Sequence, residues 1–342
     1  MATMQDVARL ANVSIATVSF TINNTKPVAP ATRAKVEAAM NELGFRRNIV
    51  GRALAGKRTR IIALLFPALQ HSFSGTVVQF FTSAAAAAQE LGYNLVMWPI
   101  SNDAGQTTEL TSSGLVDGVV LMEVQFDDPR VGELEKSGTP FVLIGRTRDP
   151  RSLTYVDIDF EGTLVLAVRH LVGLGHTRIA LLDDSVGSRD LRTFGPVSRS
   201  RDSFDAEMHR LGHEPAALTC EASPKAGTAA AHELLRSFPD TTAVIVQNEL
   251  AATGFVSGLR HQGIDVPGDM SVLSVGSSAE MAAMADPELT VMASPSTELG
   301  RMGVEALIDQ LEGRASGLRQ ELVMCRLEEG RSTGPRRDRA RE

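Results

Sequence analysis

The sequence predicts an α/β protein with a small helical head: an N-terminal three-helix helix-turn-helix unit, followed by a body of two doubly wound, parallel-sheet lobes. Three observations predict this class. Short amphipathic helical patterns fill the first part of the chain. Apolar strand-like runs then alternate with helical patterns, and this alternation falls into two successive sets. At 342 residues the chain is long enough for such a head and two lobes of ordinary domain size.

The first two predicted helices of the head are short and joined by a tight turn. Thr3 and Asp6 form a capping-box-like start to the first helix, and Ser14 is placed to cap the second. Apolar residues recur at helical spacing along both helices, namely Val7, Leu10 and Ala11 in the first, and Val18 and Ile22 in the second. Helices of this length are not stable alone in water, so the pair must pack on another element.

A third predicted helix supplies the packing surface. Pro30 suits its first turn and Gly44 ends it. Its apolar stripe consists of Val36, Ala39, Met40 and Leu43. Three short helices at this spacing are typical of a helix-turn-helix unit whose second helix faces outward, toward a DNA groove. The alternative is a small helical bundle without that role.

Charge is distributed unevenly along the chain, whose formal net charge is −7. Residues 1–60 hold ten basic and three acidic side chains, whereas the remainder holds 24 basic and 38 acidic ones. A basic head on an acidic body is the electrostatic pattern of a protein that binds phosphates at one end. The predicted partner of the head is therefore double-stranded DNA.

The basic segment between head and body predicts a hinge. Asn48 can cap a short helix that ends near Gly56. In one interpretation this segment folds only when DNA and a second subunit offer it a surface, and Leu54 then enters the minor groove as an apolar wedge between base pairs. The alternative is a flexible basic linker, which Gly51 and Gly56 favour.

The body predicts two sets of buried strands with helices between them. The strands are 61–66, 94–98, 118–122 and 141–144 in the first set, and 179–182, 243–246 and 271–275 in the second. The helices lie near 77–91, 107–113 and 131–137, then near 164–174, 202–211, 226–236 and 251–262. Ligands of such sheets bind beyond the carboxyl ends of the strands, so we expect a small-molecule site in a cleft between the lobes.

Other function classes leave no signature in the sequence. It has no signal-peptide pattern and no apolar run long enough for a membrane span, which predicts a cytoplasmic protein without membrane contact. The two cysteines have neither metal-ligand nor redox spacing, and no nucleotide-binding or nucleophile motif is present, so neither a cofactor, a metal nor an enzymatic activity is expected. The alternatives are a solute-binding protein or an α/β enzyme with an appended helical domain.

Specific motifs in this order closely resemble the LacI-type family of bacterial transcription regulators. They are DVARLANVSIATVSFTIN, TRAKVEAAMNELGF and the hinge in the head, then LVGLGHTRIALL, VIVQNELAATG and GIDVPGDMSVLSVG in the body. The resemblance spans roughly residues 3–328. It implies a nucleoid-associated homodimeric repressor that binds a pseudo-palindromic operator, with a periplasmic-binding-protein-like core that senses a small-molecule effector, a sugar or related metabolite.

The same resemblance divides the chain into segments. Residues 1–45 form the DNA-binding domain and 46–59 the hinge. The first lobe comprises 60–157 with about 293–316, and the second comprises 158–292 with about 317–329. Residues 330–342 are expected to be a disordered tail, and because this tail lacks a leucine heptad, a dimer is favoured over a tetramer.

In the recognition helix, the resemblance assigns base reading to Ile15, Ala16 and Phe20. None of these can make a bidentate hydrogen bond to a base, so readout is expected from thymine methyl groups, water and DNA deformability. The predicted phosphate contacts are Ser14, Thr17, Ser19, Asn23 and Asn48. Alternatively, Phe20 packs inward.

The effector cleft departs from the family pattern. The ligand-gripping arginine has two candidates, Arg199 and Arg201, and Asn248-Glu249 replaces the usual Asn-Asp pair. Gly276-Ser277-Ser278 stands where relatives often carry Gly-aromatic-Asp-Asp, and Ala222 stands where sugar-binding relatives often place an aromatic ring. The loss of an acid and a ring weakens the expectation of a carbohydrate without excluding it. The remaining predicted effector residues are Phe73, Arg146, Asp159 and Ser277, with Trp98 as a further pocket candidate.

Overall fold

The computed structural model describes residues 2–23, 26–45, 58–66, 75–101, 103–184 and 194–337, excluding the side chain of Asn23. The chain divides into two compact units, with the boundary after Thr59. Asn48, Leu54 and Phe73 lie outside the described residues, and so do residues 46–57 of the hinge expected at 46–59 and the last five residues of the tail.

The head contains three helices, α1 (Met4–Ala11), α2 (Ile15–Asn23) and α3 (Pro30–Glu42). The predicted capping box is present, since Thr3 Oγ1 accepts from the Asp6 amide at 3.3 Å and the Asp6 carboxylate accepts from the Thr3 amide at 3.0 Å. Ser14 Oγ accepts from the Thr17 amide at 3.1 Å and so caps α2. The core of the head consists of Val7, Ala8, Ala11, Val18, Ile22, Val36 and Ala39.

Two residues expected in this core lie outside it. Leu10 is 44% exposed and Leu43 is 36% exposed. The buried face of α1 is centred on Val7, Ala8 and Ala11, and at about 100° per residue Leu10 falls well to the side of that face. Leu43 follows the last turn of α3. The periodic pattern therefore assigned too wide a buried stripe to both helices.

The body contains two mainly parallel sheets with helices packed on them, as predicted. Each sheet has six strands, whereas the sequence predicted four strands in the first set and three in the second. The first sheet has the order β2-β1-β3-β4-β5-β11 and the second the order β7-β6-β8-β9-β10-β12. All neighbouring strands run parallel except β12, which is antiparallel to β10. Each sheet forms the centre of one lobe of the body.

The strands of the first lobe are β1 (Ile61–Phe66), β2 (Asn94–Pro99), β3 (Gly118–Met122), β4 (Phe141–Ile144), β5 (Tyr155–Ile158) and β11 (Gln320–Val323). Those of the second are β6 (Ile179–Asp184), β7 (Ala216–Cys220), β8 (Ala243–Val246), β9 (Ser271–Ser277), β10 (Thr290–Ala293) and β12 (Arg326–Glu328). Buried apolar side chains of the central strands form the cores.

The helices divide between the lobes in the same way. The first lobe has α4 (Gly75–Glu90), α5 (Ala104–Ser112), α6 (Pro129–Ser137) and α12 (Ser296–Leu311). The second has α7 (Phe160–Gly173), α8 (Gly195–Arg210), α9 (Pro224–Ser237), α10 (Glu249–His261) and α11 (Ala279–Ala282). No helix in the described ranges is both long and apolar enough to span a bilayer.

The chain passes between the lobes three times, after β5, after β10 and after β11. The position of the last crossing differs from the prediction, which placed all of about 317–329 in the second lobe. β11 pairs in parallel with β5 of the first sheet, and only β12 belongs to the second. Both are short edge strands with mostly exposed side chains. They therefore lack the apolar pattern from which the sequence analysis could have assigned each strand to its lobe.

Residues 330–337, which were expected to belong to a disordered tail, pack on the second lobe instead. Ser332 is fully buried, where its hydroxyl donates to the Val272 carbonyl at 2.5 Å and accepts from the Thr290 amide at 2.8 Å. The buried imidazole of His176 lies 3.1 Å from the Gly334 carbonyl. Because these bonds satisfy polar groups at the end of the second lobe, the start of the tail is part of that lobe.

Candidate DNA-binding surface and effector cleft

The start of α2 presents small and apolar side chains to solvent. Ile15 is 46% exposed, and Ser14 and Ala16 are exposed beside it. The Ser14 hydroxyl lies 2.9 Å from Thr17 Oγ1, in addition to capping the helix, so both hydroxyls are held locally. The exposed start of α2 offers methyl groups where a base-reading helix more often offers amides or guanidinium groups, and its contact with bases stays a prediction.

Phe20 lies half-buried on α2 and outside the core of the head. The ammonium group of Lys26 stands 5.1 Å from the centre of its ring, which is within range for a cation–π interaction. Ser19 is half-buried on the same helix. The inward-packing alternative for Phe20 is therefore not what the head shows, and the base-reading role of this ring stays a prediction.

A cavity of about 200 Å³ lies between the two lobes of the body. Its apolar lining includes Phe66, Phe80, Met122, Ile144, Phe160, Phe194, Val197 and Leu299. Its polar lining comprises Thr76, Glu123, Asp157, Asp184, Gln247 and Ser294. An apolar cavity with a few convergent polar groups is the usual form of a small-molecule site.

None of these six polar residues was predicted by the sequence analysis, although the sequence carries a signal for three of them. Glu123 follows β3, Asp184 ends β6 and Gln247 follows β8. Each stands at the carboxyl end of a strand predicted from its apolar run, which is where ligands of parallel sheets bind. Applying this rule to the polar residue that ends or follows each predicted strand would have identified all three.

Two predicted residues, Arg146 and Arg199, belong to a charged cluster that joins the lobes. Arg146 Nε lies 3.2 Å from Asp157 Oδ2, and Arg146 Nη2 lies 2.6 Å from Glu161 Oε1. Arg199 of the second lobe donates to the carbonyls of Arg146 and Thr147 at 3.0 and 3.1 Å, and its Nη1 lies 3.6 Å from Asp157 Oδ2. Both arginines are thus engaged in holding the lobes.

Burial raises the pKa of Asp157 to about 6, and the nearby Arg199 and Arg146 only partly oppose this effect. The carboxyl group lies at the wall of the cavity. The carboxyl is mostly ionised at neutral pH, but its ionisation lowers the stability of the folded state, because the unfolded chain gives up the same proton at a lower pH.

This shift predicts a pH signature for Asp157→Asn. A carboxyl whose pKa is raised from 3.8 to about 6 contributes stability that is fully present below pH 3.8 and is lost as the pH rises through about 6. The variant lacks that loss, so its stability relative to the parent should rise by up to about 3 kcal/mol between those limits. Urea unfolding of both proteins at several pH values measures this difference, and parallel curves would contradict it.

The other predicted effector residues support local structure. Arg201 binds the buried Asp183, with Nη2 2.6 Å from Oδ2, and burial keeps the pKa of Asp183 raised despite this partner. Asp159 caps α7, and Ser277 is buried with its hydroxyl 2.5 Å from Ser274 Oγ. Asn248 caps α10 and donates to Asp184 Oδ2 at 3.1 Å, which places it one contact from the cavity.

Three predicted effector residues contact a side chain of the cavity lining: Asn248 through its bond to Asp184, and Arg146 and Arg199 through Asp157. Trp98 packs instead against the core on the other face of the first sheet. Both cysteines are free and buried, and burial raises their pKa to about 12, as expected for unreactive thiols. Within the described ranges, no group of His, Cys, Asp and Glu side chains has the arrangement of a metal site.

Comparison with known proteins agrees with this architecture. Residues 3–48 match the family described as bacterial regulatory proteins, lacI family, and residues 168–333 match a periplasmic binding protein-like domain. The regulator DegA of Bacillus subtilis is 32% identical over 87% of this chain and 88% of its own length. The regulator CelR of Thermobifida fusca is 30% identical over 92% of this chain and 93% of its own length.

Solved structures give the same result. A lac repressor dimer bound to operator and the anti-inducer ONPF is 25% identical, with a TM-score of 0.84, and the match covers 97% of this chain and 99% of that one. A complex of CelR with cellobiose is 27% identical, with a TM-score of 0.73, and the match covers 97% of this chain and all of that one. The fold and the head define a DNA-binding transcriptional regulator with a ligand-sensing core. The chain belongs to the LacI family.

Proposed function

We propose that the protein is a homodimeric repressor whose two heads occupy the half-sites of a pseudo-palindromic operator and whose effector binds in the cleft. The cavity between the lobes is the observation that carries this proposal. Both lobes line it, so a ligand there contacts both and favours one arrangement of them. Because such coupling is reciprocal, operator binding changes effector affinity by the same factor.

The proposed effector is a small sugar or a related compound. The relative CelR forms a complex with cellobiose. The acidic and amide groups at the strand ends, Asp184, Gln247 and Glu123, are of the kind that bind sugar hydroxyl groups, and the cavity offers aromatic rings from Phe66 and Phe160 for an apolar face. We place the action of the protein in the cytoplasm, without an enzymatic step, and assign residues 1–45 to operator binding.

Readout of the operator is proposed to rest on shape and methyl groups. Ile15 and Ala16 would contact thymine methyls, while Ser14, Thr17 and Ser19 would contact phosphates. Leu54, in the segment outside the described residues, would supply the minor-groove wedge that kinks the central step of the operator.

The proposal is tested with the full-length protein and fluorescent duplexes from its own promoter region. Anisotropy should show tighter binding to one such duplex than to random DNA, and this preference should change when a cleft ligand found by a thermal-shift screen of sugars is added. Deleting residues 1–57 should abolish DNA binding while leaving dimerisation and ligand binding intact. Equal affinity for all duplexes, with and without ligand, would refute the proposal.

Replacing Phe20 with arginine should change the preferred operator sequence. The half-buried ring lies on the proposed groove side, and an arginine there can bind guanine through two hydrogen bonds, which discriminate by about 1–3 kcal/mol per base. A selection from a duplex library should then show new guanine preference at one position of each half-site. The salt dependence of binding should change less.

The matched control is Leu10→Arg, which adds the same charge to an exposed position on α1. It should strengthen binding to all sequences alike and leave their ranking unchanged. If Phe20→Arg and Leu10→Arg give the same ranking as the parent, Phe20 does not face the bases.

A further inference from the structure

Glu249, the first residue of α10, connects the two lobes through four hydrogen bonds. Its Oε1 accepts from the amide and the hydroxyl of Thr76 at the start of α4, both at 3.1 Å. Its Oε2 accepts from the amide and the hydroxyl of Ser278, which precedes α11, at 2.9 and 3.0 Å. The carboxylate is buried, with the residue only 6% exposed. Thr76 belongs to the first lobe, whereas Glu249 and Ser278 belong to the second.

Electrostatics favours this position for a carboxylate. Glu249 stands at the N-terminal ends of α4 and α10, where the positive ends of both helix dipoles lie. Within the described part of the chain, no basic side chain forms an ion pair with it. The carboxylate is therefore held mainly by donors that come from both lobes, and it can be satisfied in full only while the lobes are in contact.

Gly75 gives an independent sign that the lobes meet here. A Cβ atom on Gly75 would lie 2.3 Å from Ser278 Oγ and 3.1 Å from Met281 Cγ. The first turn of α4 therefore rests directly on the segment that begins α11. Only a residue without a side chain permits this approach.

We propose that Glu249 is an inter-lobe clasp that favours the closed arrangement of the effector cleft. The resemblance places Glu249 in the position of the acid of the family's Asn-Asp pair, and in this chain its oxygens accept from Thr76 and Ser278. Since Thr76 also lines the cavity, opening the clasp and opening the cavity are the same motion. The inference rests on the proposed function for its consequence: a ligand that fits only the open cleft must break the clasp, and one that fits the closed cleft is favoured by it.

Glu249→Gln should release the clasp while keeping its shape. The hydroxyls of Thr76 and Ser278 can rotate to accept a hydrogen bond, but the two backbone amides can only donate. An amide nitrogen in place of one carboxylate oxygen therefore leaves one of these backbone groups without an acceptor. The matched control is Glu280→Gln, because the Glu280 carboxylate also joins the lobes, through Gln79 Nε2 at 2.9 Å, but is exposed.

Hydrogen exchange of the full-length protein, without DNA or added ligand, tests the clasp. In Glu249→Gln, peptides spanning 75–81 and 277–283 should exchange about tenfold faster than in the parent, with less than a twofold change in Glu280→Gln. Thr76→Val, which loses one donor, should give a smaller increase confined to the same peptides.

Unchanged exchange in Glu249→Gln, an increase equal to that of Glu280→Gln, or an increase spread evenly over the body would each overturn the clasp. Because no operator or effector is present, these outcomes are separate from the test of repressor function. If the parent protein prefers its operator but Glu249→Gln leaves hydrogen exchange unchanged, only the clasp is refuted. If hydrogen exchange changes as expected but the parent protein shows no operator preference, only the repressor function is refuted.

Discussion

Arg130→Met is expected to destabilise the body by about 3–5 kcal/mol, because it leaves a buried carboxylate without its counter-charge. The side chains of Arg130 and Asp128 are both completely buried, and Arg130 Nη2 lies 2.7 Å from Asp128 Oδ2. The same nitrogen donates to the carbonyl of Glu123 at 2.9 Å. Glu123 has a φ of +51°, which a residue with a side chain rarely adopts. The arginine therefore also holds a strained part of the cavity wall.

A double-variant experiment separates the charge from the packing. Asp128 caps α6 by accepting from the Arg130 amide at 3.0 Å, and asparagine can keep that cap without its charge. Asp128→Asn combined with Arg130→Met should therefore recover a large part of the stability that Arg130→Met loses. Urea unfolding of the parent, both single variants and the double variant measures this coupling. A double variant less stable than Arg130→Met alone would show that the cost does not come from the unpaired carboxylate.

Strands with continuous apolar runs were predictable because burial on both faces leaves an unambiguous pattern. β1, β3 and β8 are buried along nearly their whole length, and each was predicted within a residue of its bounds. β5 was missed, since it carries Asp157 in its centre, and that carboxylate is acceptable there only because arginines from both lobes face it. Single-sequence periodicity contains no information about such distant partners.

The candidate site was predictable in its location but less so in its members. Parallel-sheet topology places a cleft at the strand ends, and the cavity lies there. The roles of Arg199 and Glu249 depend instead on partners in the other lobe. Glu249 binds Thr76, which precedes it by 173 residues, and no local pattern indicates that approach. The resemblance singled out both positions, but the contacts in this chain decide what each side chain does.

Among glycine-to-alanine changes, Gly254→Ala is expected to be the most disruptive. It should lower the free energy of unfolding by at least about 3 kcal/mol, which is the upper end of the usual cost of overpacking a core. A Cβ on Gly254 of α10 would lie 1.8 Å from the Pro224 carbonyl oxygen, and one on Gly227 of α9 would lie 2.0 Å from the Ala251 carbonyl oxygen. The obstructing atoms are backbone, so no side-chain rotation relieves the clash. The two helices must separate, and α10 carries Asn248 and Glu249 at the cleft.

Gly132→Ala is the matched control for this change, since a Cβ at that position in α6 meets nothing within 4 Å. It should be neutral or stabilise the body by up to about 1 kcal/mol through helix propensity. Thermal unfolding monitored by circular dichroism should give a clearly lower midpoint for Gly254→Ala and an unchanged or higher one for Gly132→Ala. Hydrogen exchange in Gly254→Ala should also increase at the peptides of the clasp, because a displaced α10 moves Glu249 away from Thr76. If both glycine variants unfold at the parent temperature, the contact between α9 and α10 is looser than these distances require.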